Sequence, residues 1–342
     1  MKARFTLALA VSLLLAVGLL SGCGKKSSTS SLTAPGSSGN TAASQAQISG
    51  VLASTPEVVE DGEFEVADLF STASATGDVS PLAAISPLRW RRHITHVERS
   101  FEFAFSDSDS TGQPQTAIVT IHKLLTGSFD ILGVAAMDTT TGDSTGGGTH
   151  GDTLKVVHKP LEDHWVRRVL LKHLNMTTRR GTDGGGDDQG ENEGDDRNMR
   201  WKVAGTSGVE VTSKDATTNI QSLRIQTTSL DTTITDPLVF FRLRRLISVG
   251  AMEPVTLTVT TGRNDDSVFL LFREGHLKFK NNGDGTYSGT WRAPWFAGIK
   301  HVGVNALSHG TLYDDAAAYD SKAWIVPYVV KGFSCGDFLP ND

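Results

Sequence analysis

The histidines of this chain have the spacing that comes closest to that of a metal-binding or catalytic site. Apart from His150 in a Gly-rich segment, six histidines lie between residues 93 and 173: His93, His96, His122, His158, His164 and His173. Zinc sites use histidines at short spacing together with a distant third ligand. His93 and His96 begin a predicted strand, however, where strand alternation directs their side chains to opposite faces. The pattern therefore does not favour a metal site, and we expect no cofactor.

General acid–base catalysis is a second chemistry that these side chains allow. The candidates are His96, Glu98, His122 and His173. A histidine and a carboxylate transfer protons efficiently when they share a pocket. The chain contains no HExxH motif, and no phosphate-binding glycine loop follows directly on a predicted strand. An enzyme is therefore the first alternative, and two or more of the four candidates converging in a deep, dry cavity would favour it.

Aromatic side chains near the C-terminus allow a third chemistry, stacking on sugar rings. They are Trp291, Trp295, Trp324 and Tyr328. Such residues more often form the core of a β-sandwich, because large aromatic side chains contribute most when they are buried. A carbohydrate-binding module, with Trp295 and Trp324 among its binding residues, is the second alternative. It requires tryptophans that are exposed and coplanar.

Two segments are rich in glycine and poor in apolar residues. One runs over residues 138–152, and the other, "GTDGGGDDQGENEGDDRN", over 181–198. Calcium loops need acidic residues at fixed offsets and a closing bidentate Glu, and the acidic segment has neither. Both segments are predicted to be disordered loops joining neighbouring strands, because they contain too little apolar surface to offset the entropy of ordering.

The N-terminus has the layout of a secretory signal peptide. Lys2 and Arg4 precede an apolar run over residues 7–20, which is short for a membrane span. The run ends in Leu20, Ser21, Gly22 and Cys23. An aliphatic residue, two small residues and a cysteine resemble the lipobox of bacterial lipoproteins.

The lipobox resemblance implies cleavage before Cys23, a diacylglycerol on its sulfur and an acylated amino terminus. Two or more acyl chains hold a protein stably at a bilayer. Gly24 replaces the Asp that retains lipoproteins at the inner membrane in well-studied double-membrane bacteria, so an outer-membrane location is favoured. Residues 23–50 are Ser-, Thr- and Gly-rich and are predicted to be a flexible tether.

Composition and charge narrow the class of partner. The 342 residues are 38% hydrophobic and 20% charged, which is ordinary for a globular chain of up to two domains. The net charge of −6 becomes −8 when Lys2 and Arg4 leave with the leader, and this argues against general nucleic-acid binding. With Cys23 lipidated, Cys335 has no partner within the chain, and no disulfide is expected.

Residues 51–217 are predicted to form an α+β domain. Residues 63–74 fit a one-sided helix, and "HVERSFEFAFSDSDS" alternates as a half-buried strand. "TAIVTIHKLLTGSFDIL" reads as one strand, or as two joined at residues 126–127. "HWVRRVLLKHLNM" and "WKVAGTSGVEV" read as antiparallel partners. This order resembles the NTF2-like or cystatin-like cone over about residues 57–211, and an all-β sandwich is the competing interpretation.

Residues 218–331 are predicted to form a β-sandwich. Six short apolar segments are separated by turn signals, and they cover residues 220–226, 254–261, 267–275, 276–294, 298–308 and 322–330. An Asn/Asp/Gly turn inside the fourth segment spans residues 281–285. Tyr287 and Trp291 follow it on one strand, four apart, and are expected to face the core. The stretch "NNGDGTYSGTW" resembles a motif of bacterial immunoglobulin-like modules, which implies a two-sheet fold of about 100 residues.

Together these features predict a mainly β protein with five parts. They are a signal peptide (1–22), a lipidated cysteine with its tether (23–50), an N-terminal domain (51–217), an immunoglobulin-like sandwich (218–331) and a tail (332–342). The expected function is that of a membrane-anchored envelope lipoprotein acting as a non-catalytic binding, accessory or structural module. Its expected partners are the membrane, through the lipid on Cys23, and a glycan or another envelope protein.

Overall fold

The structure, a computed structural model of the chain, describes residues 39–56, 71–72, 85–110, 112–135, 154–175, 199–242, 246–272 and 275–332. The predicted signal peptide, the predicted lipobox with Cys23, both Gly-rich segments and Cys335 lie outside these ranges. Among the described residues, none of the helices has the length and hydropathy needed to cross a bilayer.

The described residues are mainly β, which confirms the predicted fold class. The helices within the described residues are α1 (Gly39–Ser54) and α2 (His309–Tyr313). The strands of the first half are β1 (Ser71–Thr72), β2 (Ile85–Ser108), β3 (Pro114–Ala135), β4 (Leu154–Asn175) and β5 (Met199–Ser213). Those of the second half are β6 (Ser222–Gln226), β7 (Asp231–Ile234), β8 (Phe240–Arg242), β9 (Ile247–Gly250), β10 (Pro254–Thr260), β11 (Ser267–Phe272), β12 (Gly275–Lys278), β13 (Lys280–Asn281), β14 (Thr286–Arg292), β15 (Gly298–Leu307) and β16 (Ser321–Lys331).

The strands form two sheets. The larger has the order β1-β2-β3-β4-β5-β16-β15-β11-β12, with β8 beside β5 and β9 beside β16. The smaller has the order β13-β14-β10-β6-β7. Neighbouring strands are antiparallel apart from the β9–β16 pair.

The larger sheet crosses the predicted domain boundary at residues 217–218. Strand β5, from the first predicted domain, pairs with β16, from the second, and places Val211 opposite Ala323 and Val209 opposite Ile325. The cone predicted over residues 57–211 and the sandwich predicted over 218–331 therefore share one sheet. The alternation in each segment could not reveal this pairing, because it joins residues more than 100 positions apart.

Long hairpins make up the first half of the larger sheet. Strands β2, β3 and β4 pair along most of their length, and β4 pairs with β5, which confirms the predicted strands. β3 is one strand rather than two. Its Gly127 lies where a Cβ atom would come within 1.9 Å of the His93 carbonyl oxygen, so this position requires glycine.

Helix α1 differs from the prediction. It begins at Gly39, inside the segment predicted as a tether, and buries Ile48 and Leu52 against the apolar cluster formed by β3, β4, β5 and β16. These two side chains are four apart and share a helix face. In the helix predicted over residues 63–74, Ser71 and Thr72 form strand β1, and the other positions lie outside the described residues.

The smaller sheet packs on β9, β11, β15 and β16 as a sandwich. One face of β11, β15 and β16 contributes to this core, with Leu270, Val304 and Trp324, and the opposite face is also buried, as at Phe269 and Ile325. Burial of both faces explains why these strands read as continuous apolar runs rather than alternating ones. All six predicted apolar segments form strands.

The turn after β13 has the conformation that its glycines predict. Gly283 and Gly285 adopt positive φ angles of 85° and 79°, a region that favours glycine. Tyr287 lies in the core, where its hydroxyl donates to the Arg263 carbonyl oxygen at 2.8 Å. Trp291 is only half-buried, at the edge of the same core.

Candidate functional site

The larger sheet curls so that β2 faces β11, β15 and β16 across an interior. The Trp90 ring on β2 lies 5.2 Å from that of Phe269 on β11 and 4.5 Å from that of His276 on β12. Burial, and secondarily the charge of Arg92, lowers the pKa of His276 to about 4, so its ring is neutral at pH 7. The face of β2–β5 that points into this interior is called the inner face below, and the opposite one the outer face.

A layer of charged side chains crosses the interior between two apolar clusters. One cluster contains Ile48 and Trp165, and the other contains Trp90 and Phe129. The ionisable side chains of this layer, all at most 2% exposed, are Arg92, Lys123, Asp163 and Arg167. Charged groups this deep are stable only when they are paired or hydrogen-bonded.

Arg92 and Asp163 connect three strands around the layer. The Arg92 Nη2 lies 3.9 Å from Asp163 Oδ2 and donates to Ser321 Oγ at 2.9 Å. The Tyr319 hydroxyl donates to the same Asp163 oxygen at 3.1 Å. Burial raises the pKa of Asp163, and attraction to Arg92 only partly opposes this. The pair therefore joins β2 and β4 to the start of β16.

Lys123 and Arg167 both lie close to the buried indole of Trp165. The Lys123 ammonium lies 4.3 Å from the centre of the Trp165 ring, and the Arg167 guanidinium lies 5.6 Å from it. Cation–π contacts of this kind contribute about 2 kcal/mol when desolvated. The contact of Lys123 with Trp165 joins β3 to β4, whereas Arg167 and Trp165 both lie on β4.

A cleft of about 940 Å³ opens beside the charged layer. Its walls are residues 126–128 of β3, 160–162 of β4 and 317–320 before β16, together with Thr95, Lys214, Asp215, Thr217 and Ser308. Lys214 Nζ lies 3.4 Å from Glu162 Oε2 on the rim. Tyr319 belongs to both the cleft wall and the charged layer. Burial raises the pKa of this tyrosine, so its hydroxyl stays protonated and donates to Asp163.

The predicted acid–base residues do not meet in this cleft. His96, Glu98 and His122 lie on the outer face of β2 and β3, and His96 and Glu98 are exposed. The His122 Nε2 lies 3.7 Å from the exposed Glu102 carboxylate. His173 lies on the inner side, with its ring 5.1 Å from that of Trp201.

The expectation that His93 and His96 face opposite sides is wrong. A β-bulge between Ile94 and His96 pairs His93 with Ser128 and His96 with Thr126, which share one face of β3. The extra residue shifts the alternation by one position. The two histidines therefore both lie on the outer face. Among the described residues, no group of three or more His, Cys, Asp or Glu side chains is arranged to hold a metal ion.

Strand pairing forms one histidine–carboxylate contact that the sequence did not indicate. His158 Nδ1 lies 2.7 Å from Asp130 Oδ1, and Arg91 Nε donates to Asp130 Oδ2 at 3.0 Å. Burial acts to raise the pKa of Asp130, but hydrogen bonds from His158, Ser128 and Arg91 lower it overall. The partners are 28 and 39 residues apart in the chain, and only the hairpin register brings them together.

The aromatic candidates separate into buried and exposed residues. Trp324 is 2% exposed in the sandwich core, which removes it from any ligand-binding surface. Trp295 is 70% exposed, and its ring is nearly perpendicular to that of Phe296, at 83°. The described residues thus do not form a coplanar pair of exposed tryptophans. Comparisons with protein-family models, curated proteins and solved structures give no match for this chain.

Proposed function

We propose that this protein is a lipid-anchored envelope module that binds or supports a partner without catalysing a reaction. In this proposal the sandwich of its second half is an immunoglobulin-like module. The observation that carries the proposal is the placement of the predicted acid–base residues. His96 and Glu98 lie on an open strand face, and His173 lies on the opposite side of the sheet. Proton transfer needs such groups within hydrogen-bonding distance of one substrate.

The buried ionisable groups also support a structural role. Arg92 contacts Asp163 and Ser321, and Lys123 and Arg167 contact Trp165. All of these contacts except that of Arg167 with Trp165, which both lie on β4, join different strands of the same interior. The cleft beside these groups is a concave surface on which a small partner can bind.

The anchor part of the proposal comes from Leu20, Ser21, Gly22 and Cys23. Residues 24–38 separate this segment from the first residue of α1. A diacylglycerol on Cys23 and an acyl chain on its amino group would hold the protein at a bilayer. Gly24 favours the outer membrane of a double-membrane bacterium.

The anchor is tested by acyl labelling, and the chain offers its own control. Cys23→Ala is expected to abolish incorporation of radiolabelled palmitate, whereas Cys335→Ala, at the only other cysteine, should keep it. Behind a leader that the general signal peptidase removes, Cys23→Ala is expected in the soluble fraction. Label retained in Cys23→Ala, or lost in Cys335→Ala, would contradict the assignment of the lipid to Cys23.

A carbohydrate-binding module is the second candidate, and Trp295 is the observation that favours it. An indole that is 70% exposed is available to stack on a sugar ring. Titration with soluble envelope oligosaccharides, followed by the emission of Trp295, tests this candidate. A saturable change that Trp295→Phe abolishes would support it.

A further inference from the structure

An apolar surface lies at one end of the sandwich. It is formed by Trp295, Phe296 and Ile299, at the β14–β15 connection, and by Met252, in the β9–β10 turn, and is called the aromatic end below. The four side chains are 70%, 47%, 39% and 44% exposed. Taking about 200 Å² for each side chain when fully exposed, they present roughly 400 Å² of apolar surface. A patch of this size on a soluble protein is often functional.

The aromatic end is built on backbone contacts between these two connections. The Ala293 amide donates to the Glu253 carbonyl oxygen at 2.9 Å, and the Arg292 guanidinium donates to the Met252 carbonyl oxygen at 3.2 Å. Met252 itself has a positive φ of 59°. The Gly250 amide donates to the Glu253 carboxylate at 2.7 Å and closes the turn. The exposed side chains are therefore displayed by a fixed framework.

The segments that form the aromatic end carry three cationic side chains. Arg292, Lys300 and Lys331 lie on the segments that form it, and the Lys300 ammonium is 4.0 Å from the centre of the Phe296 ring. Glu253 is the carboxylate of the described turn, and it already accepts hydrogen bonds from Gly250 and Thr228. The charge of this end is therefore complementary to an anionic surface.

We propose that the aromatic end docks onto the anionic headgroup region of the bilayer. Tryptophan and phenylalanine are favoured at the membrane interface, and nearby Lys and Arg are attracted to anionic headgroups. A bilayer accepts an apolar patch of any outline, whereas a stable protein interface needs about 800 Å² on each partner, roughly twice what this end offers. The perpendicular Trp295 and Phe296 rings do not form a flat platform for a sugar.

The docking inference rests partly on the proposed function, since the lipid on Cys23 is what keeps the protein beside a bilayer. Attachment through both the lipid on Cys23 and the aromatic end would restrict how the sandwich and the cleft are oriented above the membrane. Two weak membrane contacts on one chain reinforce each other, because the first raises the effective concentration of the second.

Trp295 is a built-in probe for docking. Of the six tryptophans, Trp90, Trp165, Trp201 and Trp324 are at most 3% exposed and Trp291 is half-buried. The lipidated full-length protein is reconstituted into phosphatidylcholine–phosphatidylglycerol vesicles that contain brominated lipids. The brominated lipids are expected to quench the emission of Trp295, about one sixth of the tryptophan emission. Trp295→Phe should remove this quenching.

Binding without the anchor is measured by vesicle flotation. Unacylated Cys23→Ala protein, produced behind a cleavable leader, is expected to bind anionic vesicles weakly. The double variant Trp295→Ser, Phe296→Ser should lower the fraction of protein bound to vesicles about tenfold. The double variant Lys300→Glu, Lys331→Glu should lower this fraction on anionic vesicles only. Val156→Ser is the matched control, because Val156 is apolar and 54% exposed but lies on β4; binding should be unchanged.

The outcomes separate docking from the anchor. Lipidated protein that floats with vesicles but is not quenched would overturn docking and leave the anchor intact. Unacylated protein that binds through the aromatic end, in a chain that takes no acyl label, would support docking and refute the anchor. A change in Trp295 emission with soluble oligosaccharide but not with lipid would overturn docking and assign the surface to a sugar.

Discussion

Replacing Arg92 by methionine tests the charged layer most directly. Arg92→Met removes the guanidinium but keeps an unbranched side chain that fills much of the same space. Asp163, which is 0% exposed, then loses the cation 3.9 Å from its Oδ2 and keeps the hydrogen bond from Tyr319. Removing one partner of a buried ion pair is more destabilising than replacing both, because it leaves an uncompensated charge.

The expected cost follows from the proton that Asp163 can take up. A buried carboxylate escapes its charge by protonation, which costs at most about 4 kcal/mol at pH 7 and about 1.5 kcal/mol at pH 5 for an unfolded pKa near 3.9. These values are upper bounds, because burial already raises the pKa of Asp163 in the wild type. The hydrogen bond from Arg92 to Ser321 adds about 1 kcal/mol at either pH.

The sign of the pH dependence is specific. A carboxyl group whose pKa in the folded state is raised above its unfolded value destabilises the fold once the pH exceeds the unfolded value. The loss from Arg92→Met should therefore grow with pH, by at most about 2–3 kcal/mol between pH 5 and pH 7. Urea unfolding followed by circular dichroism at both pH values measures it.

Two further variants complete the test. Arg92→Met with Asp163→Asn is expected to recover most of the loss at pH 7, because neither member of the pair then carries a charge. Arg224→Met is the control, since Arg224 and Asp231 form an exposed pair, and it should leave the free energy of unfolding unchanged. An equal loss at pH 5 and pH 7, or a double variant no more stable than Arg92→Met, would refute the pairing of Arg92 with Asp163.

Three further predictions follow from burial and pairing. Burial raises the pKa of Asp266 to about 6, so Asp266→Asn should stabilise the protein by about 2 kcal/mol at pH 7.5. This gain in stability should shrink as the pH falls towards 4, and a gain that does not change with pH would contradict the prediction. Tyr287→Ala should lower the free energy of unfolding, measured in urea, by about 3–5 kcal/mol. Trp291→Ala should lower it less, because Trp291 is half-buried. A larger loss for Trp291→Ala than for Tyr287→Ala would contradict the core described above. Residues 218–331 expressed alone are expected to lose cooperative unfolding, because β16 loses its pairing with β5; a cooperative thermal transition of this fragment would show that the sandwich is independent.

Local physics made much of the β structure predictable. Alternating residues placed Val97, Phe101, Phe103 and Phe105 on one face of β2, and that face is the inner one. Phe103 and Phe105 pack against the apolar cluster under α1, whereas Val97 and Phe101 remain about 40% exposed. The strand and the side that each residue faces were thus predictable, but the depth of burial was not, because it depends on what lies opposite.

The candidate sites were less predictable than the strands. The contact between His158 and Asp130 depends on the register of a hairpin of two 22-residue strands, and the contact between Arg92 and Ser321 joins residues 229 positions apart. Neither pair has a local signature in the sequence. Trp295 and Trp324 looked alike in the sequence, yet one is exposed and the other is in the core.

The sequence by itself determined what neighbouring residues decide: the mainly β class, the strand segments and the glycine turn at residues 281–285. These follow from side-chain alternation and backbone sterics within a few residues. Tertiary structure alone decided that β5 pairs with β16, that a bulge puts His93 and His96 on one face, and that charged residues cross the interior. The physical reason is that pairing and burial depend on distant segments, and closing a long loop costs little more entropy than closing a short one. Many pairings are therefore open to such a chain, and the summed packing of the whole fold selects among them.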